Sequence, residues 1–482
     1  MNKVNAIKFR MYHTGSVGDC LLLLFMKDKK VSLSMLIDCG GWLTSAAAIS
    51  ACVKDIRETC NGTLDLLVVT HQHMDHISGF NQARAEFDAI HVKEVWLSWI
   101  EDEGDDVAQV LKVRYGKRLK EAKGISDKAL KAVKKQQGVP TSVRGMGKRL
   151  KEKQLSIEHT LALIAFEEGM MGADGKLSVR PTNDTAMKYV KDKGDRIHYW
   201  KPGKVIDDLE GAEGMKFYIL GPPRDEDMRY FKIDENEEEM YARMRAKATE
   251  TVLEHIIDTG MVLEEGVSPF SKAYQLDGGL KFSDDQEKAD YAWRGIESDW
   301  LETAASIALR ATRLTNNTSL AMAIEFADSG RVILLPGDAQ SGNWMGWHKD
   351  EVMKSLKKAG GKNTVELLEN TVFYKVGHHG SHNGTASVSG LDWVKHKDLV
   401  AFMPLVQEKV PPEWGGSKNF PAKKLNSVLI QKTRGRLVRT DVGLVKEAKA
   451  VLERKKLSTS ERNAFNKSFE EGENWVGYTV KG

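Results

Sequence analysis

Hydrophobic residues in this chain fall into short bursts, and the bursts have two periods. Ala6 to Tyr12 alternates apolar and polar side chains, the signature of a strand with one solvated face. Cys20 to Met26 is apolar throughout, which predicts a strand buried on both faces and is far too short to cross a bilayer. Val31 to Ile37 follows a lysine-rich turn and ends in Asp38-Cys39-Gly40-Gly41. Ala46 to Thr59 switches to helical spacing. Leu64 to Thr70 (LDLLVVT) predicts another buried strand, and Glu94 to Trp99 a further one. Later bursts at Met215–Leu220, Ser319–Phe326, Arg331–Leu335, Val372–Val376 and Leu399–Leu405 predict more strands, the second and third of these joined by the turn Asp328-Ser329-Gly330. A helix near Lys423–Arg434 and a last strand over Arg436–Asp441 follow, so the pattern is that of an α/β protein.

Two stretches interrupt this rhythm. From Glu101 to about Lys193 the chain is lysine-rich, helix-prone and poor in β-branched bursts, with basic residues densest between Lys112 and Lys153. From Arg224 to about Arg313 it begins acidic and continues as amphipathic helix. The expected organisation is therefore a core in pieces: residues 1–100 as its first half, 101–200 a basic helical insertion, 201–223 a core strand, 224–313 an acidic-to-mixed helical insertion, and 314–482 the second half with a C-terminal tail.

Composition adds little, and charge adds something only through its distribution. With 71 basic and 68 acidic residues the formal charge is +3, so net charge does not announce a nucleic-acid binder, whereas the concentration of lysine in the first insertion does suggest one. The four cysteines (Cys20, Cys39, Cys52 and Cys60) form no CxxC pair and make a poor disulfide framework, and no apolar signal segment opens the chain; both predict a cytoplasmic protein with reduced thiols and no membrane association.

The chemistry concentrates just past the strand Leu64–Thr70, in His71-Gln72-His73-Met74-Asp75-His76. His71 and His73 are two apart on one turn and can face one cation; Asp75 and His76 can face a second. Packing three titratable rings together costs free energy unless something holds them neutral, and a metal does that. Asp338 ends an apolar strand in LLPGDAQ and could bridge two cations. His378 and His379 follow a β-branched strand and precede glycine; one is expected as a ligand, the other as a support or substrate contact. His382 is expected at the surface.

HxHxDH after a hydrophobic strand is a signature of the metallo-β-lactamase superfamily. The blocks around it (Gly18-Asp19-Cys20, LIDCGG, FYILGPP, NNTSLAMAIEF, RVILLPGDAQ, YKVGHHGS and RGRLVRTDVG) resemble, in order, the hydrolase domain of the ComEC-type competence proteins. That resemblance covers most of residues 6–100, 215–223 and 316–443 and leaves out both insertions. It implies a four-layer αββα sandwich with the site at the rim where two sheets meet. It also implies one metal on His71 and His73, a second on Asp75 and His76, Asp338 bridging them, and His378 or His379 completing the second site. The chain departs from the pattern twice. Where many relatives offer a further histidine to the first metal, this chain has the neighbourhood of Gly221, with Asn316 and Asn317 nearby in sequence pattern; where the branch carries histidine before proline, it reads Asn419-Phe420-Pro421.

These readings predict a hydrolase using two divalent ions, zinc with manganese or iron as alternatives, with Asp75 and His379 as catalytic side chains. The expected substrate is a nucleic-acid phosphodiester, with DNA or RNA held by the basic insertion and homo-oligomers possible through the acidic one. A small phosphodiester, lactone or thioester is the first alternative, and a non-catalytic partner-binding module the second.

Overall fold

The computed structural model describes residues 3–113, 182–224, 313–411 and 414–482, with isolated positions between 116 and 164. The chain divides into two compact units. One comprises Met1–Leu119, Ala162–Ala242 and Leu309–Gly482; the other, Lys120–Leu161 and Arg243–Ala308, lies almost wholly outside the described residues. Both sheets belong to the first unit.

The first sheet holds β1 (Ala6–Tyr12), β2 (Cys20–Lys27), β3 (Lys30–Cys39), β4 (Thr63–Val68), β5 (His91–Ser98) and β6 (Gly194–Trp200), closed by β15 (Phe469–Glu471) and β16 (Trp475–Lys481). The second holds β7 (Val205–Ile206), β8 (Met215–Ile219), β9 (Met322–Phe326), β10 (Val332–Leu335), β11 (Thr371–Lys375), β12 (Val400–Met403), β13 (Leu437–Arg439) and β14 (Gly443–Leu444). Their orders are β15-β16-β1-β2-β3-β4-β5-β6 and β14-β13-β12-β11-β10-β9-β8-β7. Each sheet has one parallel run, β3-β4-β5-β6 in the first and β10-β11-β12-β13 in the second, and is antiparallel elsewhere.

Apolar residues sort onto three surfaces, and this explains the unbroken runs. Along β2, Leu21, Leu23 and Phe25 face the second sheet, while Leu22, Leu24 and Met26 face a helical layer. A strand wet on neither face needs no polar alternation. Between the sheets Phe9 stacks on Phe373 with ring centroids 4.0 Å apart. Outside the first sheet lies α1 (Ala46–Thr59), which buries Ile49, Cys52, Val53 and Ile56 at helical spacing and is capped by Ser45 accepting from the Ala48 N–H. Outside the second lie the helices Ser341–Trp347, Asp350–Lys358, Thr364–Glu369 and Lys423–Lys432, whose Trp344, Trp347, Leu356, Leu367 and Leu429 share one core. This is the helix–sheet–sheet–helix layering expected of the metallo-β-lactamase fold.

Five strands (β6, β7, β14, β15 and β16) go beyond those the sequence pattern predicts. Gly194–Trp200 lies in a stretch counted with the basic insertion, yet it forms β6 and pairs in parallel with β5. Helix Thr182–Lys193 leads into it, so regular structure resumes before residue 200. At the other end β16 pairs with β1 from Ala6↔Lys481 to Tyr12↔Trp475, which builds the C-terminal tail into the sheet. Of the insertions, residues 106–113 and the isolated described positions up to 164 are helical; nearly all of the second insertion lies outside the described residues. The four cysteines are free thiols, and burial pushes Cys60 up to about 11. Among the described residues no helix is long and apolar enough to cross a membrane.

Candidate metal centre

The parallel strands β3, β4, β10 and β11 end at one rim, and the loops that leave them carry the polar side chains. After β4 the chain runs through Thr70 into His71–His73, then turns into the short helix α2 (Met74–Ile77). The loop is seated on backbone with almost no clearance. A Cβ at Gly40 would lie 2.5 Å from the Asp75 carbonyl carbon, and one at Gly18 2.8 Å from the Asp75 oxygen. The Asp19 N–H donates to that same oxygen at 2.9 Å. The two glycines of the Gly18-Asp19 and Cys39-Gly40 blocks therefore let the histidine loop approach.

His71 Nε2 and His73 Nδ1 converge at 3.0 Å. On its far side His71 Nδ1 meets the hydroxyls of Thr70 at 3.1 Å and Ser319 at 3.2 Å. Burial, then the neighbouring His76 and His73, hold His71 well below the usual histidine range, so its ring is neutral and its lone pair is free for a cation. Asp75, His76, Asp338 and His379 form the second cluster, with ligand atoms all within 4.8 Å of one another. His76 Nε2 lies 3.2 Å from Asp338 Oδ2, and His379 Nε2 2.7 Å from Asp75 Oδ2.

The turn after β11 distinguishes the two adjacent histidines. His378 and His379 both take left-handed backbone angles, φ 48° and 51°. His379 is fully buried and meets Asp75 through Nε2. Its Nδ1 lies 2.8 Å from the Pro404 carbonyl, which requires the proton on Nδ1 and leaves Nε2 as the donor atom for a cation. His378 turns away: its ring meets Asn383 at 3.0 Å, while its backbone N–H donates to Asp338 Oδ1 at 2.9 Å. Burial pushes its ring down to about 4. The structure thus brings His71, His73, Asp75, His76, Asp338 and His379 together and does not bring the His378 ring into the cluster. His382 is exposed.

Three groups outside the predicted set hold the cluster in place. Asp38, at φ 56°, accepts from the Thr70 N–H at 2.8 Å and the Thr70 hydroxyl at 2.7 Å, and its Oδ2 is 2.8 Å from His76 Nδ1. A carboxylate behind a histidine fixes which ring nitrogen faces forward. Lys375, buried at the end of β11, pairs with Asp19 and lies 3.4 Å from Asp338 Oδ1. Glu101 receives the Gln72 side chain at 2.6 Å and Lys112 at 2.9 Å. Each has a trace in the sequence: an ionisable residue at the end of an apolar strand must have a partner.

The charge balance tests whether cations fit. Asp19, Asp38, Asp75 and Asp338 are buried together, and among the described residues Lys375 stands with them as a fixed cation and His76 and His379 as titratable ones. Burial alone would raise the Asp75 carboxyl, but His76 and His379 bring it down to about 2. Burial likewise opposes ionisation of Asp338, and His76 and Lys375 hold it well below the carboxylate range all the same. The reciprocal effect raises His76 well above an ordinary histidine, against its burial. Asp75 Oδ1, His76 Nε2 and Asp338 Oδ2 are buried and make no hydrogen bond among the described residues, the 3.2 Å approach of His76 to Asp338 being an ion-pair contact. Orphaned donor atoms of imidazole and carboxylate type, aimed together in an anionic setting, fit divalent metal ions.

The two departures have structural counterparts. A Cβ at Gly221 would overlap the Asn343 side chain, so this position is packed and offers no ligand. Asn317 accepts from the Gln340 and Asn343 N–H groups at 3.2 and 3.1 Å, a structural role. Asn419 donates to the Gly415 carbonyl at 2.7 Å, outside the cluster. No curated protein matches the chain. The model of the metallo-beta-lactamase superfamily matches it over residues 30–155, a stretch that takes in β3, β4 and the loop from His71 to His76 and is similar there to that superfamily.

Proposed function

We propose that this chain is a metal-dependent hydrolase of phosphodiesters, with a nucleic-acid strand as substrate. The observation that carries the hydrolase reading is the set of orphaned donor atoms on Asp75, His76 and Asp338, beside His379 and the paired ring nitrogens of His71 and His73. His71 and His73 would hold one ion, Asp75, His76 and His379 the other, with Asp338 shared between them. Divalent cations bound there supply Lewis acidity, lowering the pKa of water toward neutrality and offsetting negative charge on a phosphoryl or carbonyl oxygen.

The chain's own residues do the rest. In this reading Asp75 would orient an attacking water and accept its proton. The His379 ring, fixed by Pro404, keeps one nitrogen facing inward. Asp38 does the same for His76. Lys375 holds the outer oxygen of Asp338, so the inner one stays directed at the cluster.

Two features support a nucleic-acid strand: the ordered blocks resembling the competence-protein hydrolases, and the basic stretch Lys112–Lys153. The burial of the donors bears on its shape. His71, His73 and Asp75 are 2% exposed, and His76, Asp338 and His379 are 0%. Such a site suits a single strand better than a duplex, and the same narrowness favours the second reading, a small phosphodiester, lactone or thioester.

One preparation separates these. Metal content is measured, and turnover is compared for single- and double-stranded DNA and RNA, small phosphodiesters, lactones, thioesters and a cephalosporin probe. Chelator-sensitive cleavage of single strands is expected, with little β-lactam turnover. Ester or thioester hydrolysis with no phosphodiester cleavage overturns the substrate assignment, and a metal-free, inert protein overturns the hydrolase.

A further inference from the structure

Beside the donor cluster stands an aromatic wall that no metal role accounts for. Trp42 follows Gly40-Gly41 and packs against Met74, the residue before Asp75. Trp414 lies against Trp42 with ring centroids 5.3 Å apart at 40°. It is also parallel to His379 within 8°, centroid to centroid 6.3 Å. The wall therefore runs from the metal loop to the catalytic histidine. Trp42 is buried, whereas Trp414 keeps part of its surface open to solvent.

Trp414 is held firmly in that half-open position. The N–H groups of Trp414 and Gly416 both donate to the Pro411 carbonyl, at 3.1 and 3.0 Å. Gly415 and Gly416 have φ 102° and 68°, angles a side chain would resist. Asn419 donates to the Gly415 carbonyl at 2.7 Å, and Gln407 to the Ser417 carbonyl at 3.1 Å. Trp414 is thus a large aromatic residue that the fold leaves partly exposed beside the donor cluster, with the backbone that carries it tethered on both sides.

We propose that Trp414, backed by Trp42, is the stacking platform for the nucleobase adjoining the phosphodiester that is cut. The proposal rests on the phosphodiesterase reading and adds to it the part of the substrate that is recognised. Every base has a π face, so a tryptophan platform binds strands without choosing among sequences. It would reject a strand of the same charge that lacks bases.

The test uses the full chain with its metals and two single-stranded probes of equal length and charge, an oligothymidylate and its abasic analogue. Binding is measured by calorimetry and turnover separately, for wild type, Trp414→Leu and Trp414→Phe, with metal content checked in each. Wild type is expected to favour oligothymidylate in binding and in KM. Trp414→Leu should weaken that binding by roughly 5- to 100-fold and leave the abasic probe unchanged; Trp414→Phe should keep most of the preference. The ratio of the two probes within each variant is the readout, so a variant that is merely less stable moves both together. An equal ratio in wild type, or an unaltered ratio in Trp414→Leu, overturns the platform while leaving the hydrolase standing. If esters are cleaved and neither oligonucleotide is, the phosphodiesterase reading fails. In that case the platform falls with it, because no cut phosphodiester remains for the base to adjoin.

Discussion

At the residue scale the site is a problem of buried charge, and its solution is shared among side chains that touch no substrate. Asp338 presents Oδ2 toward His76 while Lys375 and the His378 N–H occupy Oδ1. Asp338→Ala is expected to take metal content from near two equivalents to below one and to abolish turnover, measured by elemental analysis and kinetics on the same sample. Retained metal and activity would remove Asp338 from the site. Asp38 works one step further out. An asparagine at 38 could still accept from Thr70 but would be a weaker acceptor for His76 Nδ1–H. Asp38→Asn should therefore weaken metal binding about 10- to 100-fold without unfolding the chain. Competition with a chromophoric chelator measures this, and an unchanged affinity would make Asp38 structural alone.

At the element scale the turns outside the strands decide the aim of the side chains, and the segment from Trp99 to Asp105 ties the insertion roots to the core. Trp99 donates its indole N–H to the Pro222 carbonyl at 3.1 Å, and Arg224 lies over its ring. Asp105 binds Arg224 at 2.5 Å and Lys201 at 3.1 Å. Burial opposes the Asp105 charge, yet these cations hold its carboxyl down to about 2. A carboxyl whose folded pKa lies below its unfolded one stabilises the fold above the unfolded pKa. That contribution is lost as pH falls through the folded value. Asp105 should thus add on the order of 2 kcal/mol at neutral pH, disappearing between roughly pH 4 and pH 2. Chemical denaturation of wild type and Asp105→Asn across that range should converge at the acid end. A constant difference down to pH 2 would mean that Asp105 does not titrate with folding.

At the scale of the whole molecule, metal and fold are linked. Four buried carboxylates are gathered here against Lys375, His76 and His379, and cations bound among them would add to that pairing, so chelation should lower stability as well as activity. Chelation is expected to lower the melting temperature by several degrees and re-addition of metal to restore it, since a ligand bound only to the folded state stabilises it by mass action. Equal melting with and without chelator would show that the donors bind no ion tightly. The basic insertion is testable without its structure: of Lys117, Arg118, Lys120, Lys134 and Lys135, only Lys120 is among the described residues. Reversing all five charges should weaken single-strand binding and flatten the slope of log affinity against log salt by about 0.7–0.9 for each phosphate no longer neutralised. Identical salt slopes for the two proteins would leave those residues no part in binding.

Much of this molecule was legible before folding because the relevant signals are local. A strand covered on both faces is apolar along its buried length, so Cys20–Met26 and Leu66–Val69 announced themselves, and contiguous donors such as His71 to His76 need only one turn to converge. Asp338 and the histidine pair could be singled out because each follows an apolar strand. Which histidine faces inward could not, since two successive left-handed residues make that choice and neither carries a sequence mark for it. Nor could β6 or β16, whose sequences become strands through the edges they pair with, β5 and β1. Asp19, Asp38 and Lys375 stood in the sequence as charges at strand ends, and only the meeting of β2, β3 and β11 at one rim made them partners. Local pattern determines what an element is; proximity between residues hundreds of positions apart determines where its side chains point, because burial leaves each charge only the partners that the fold brings near.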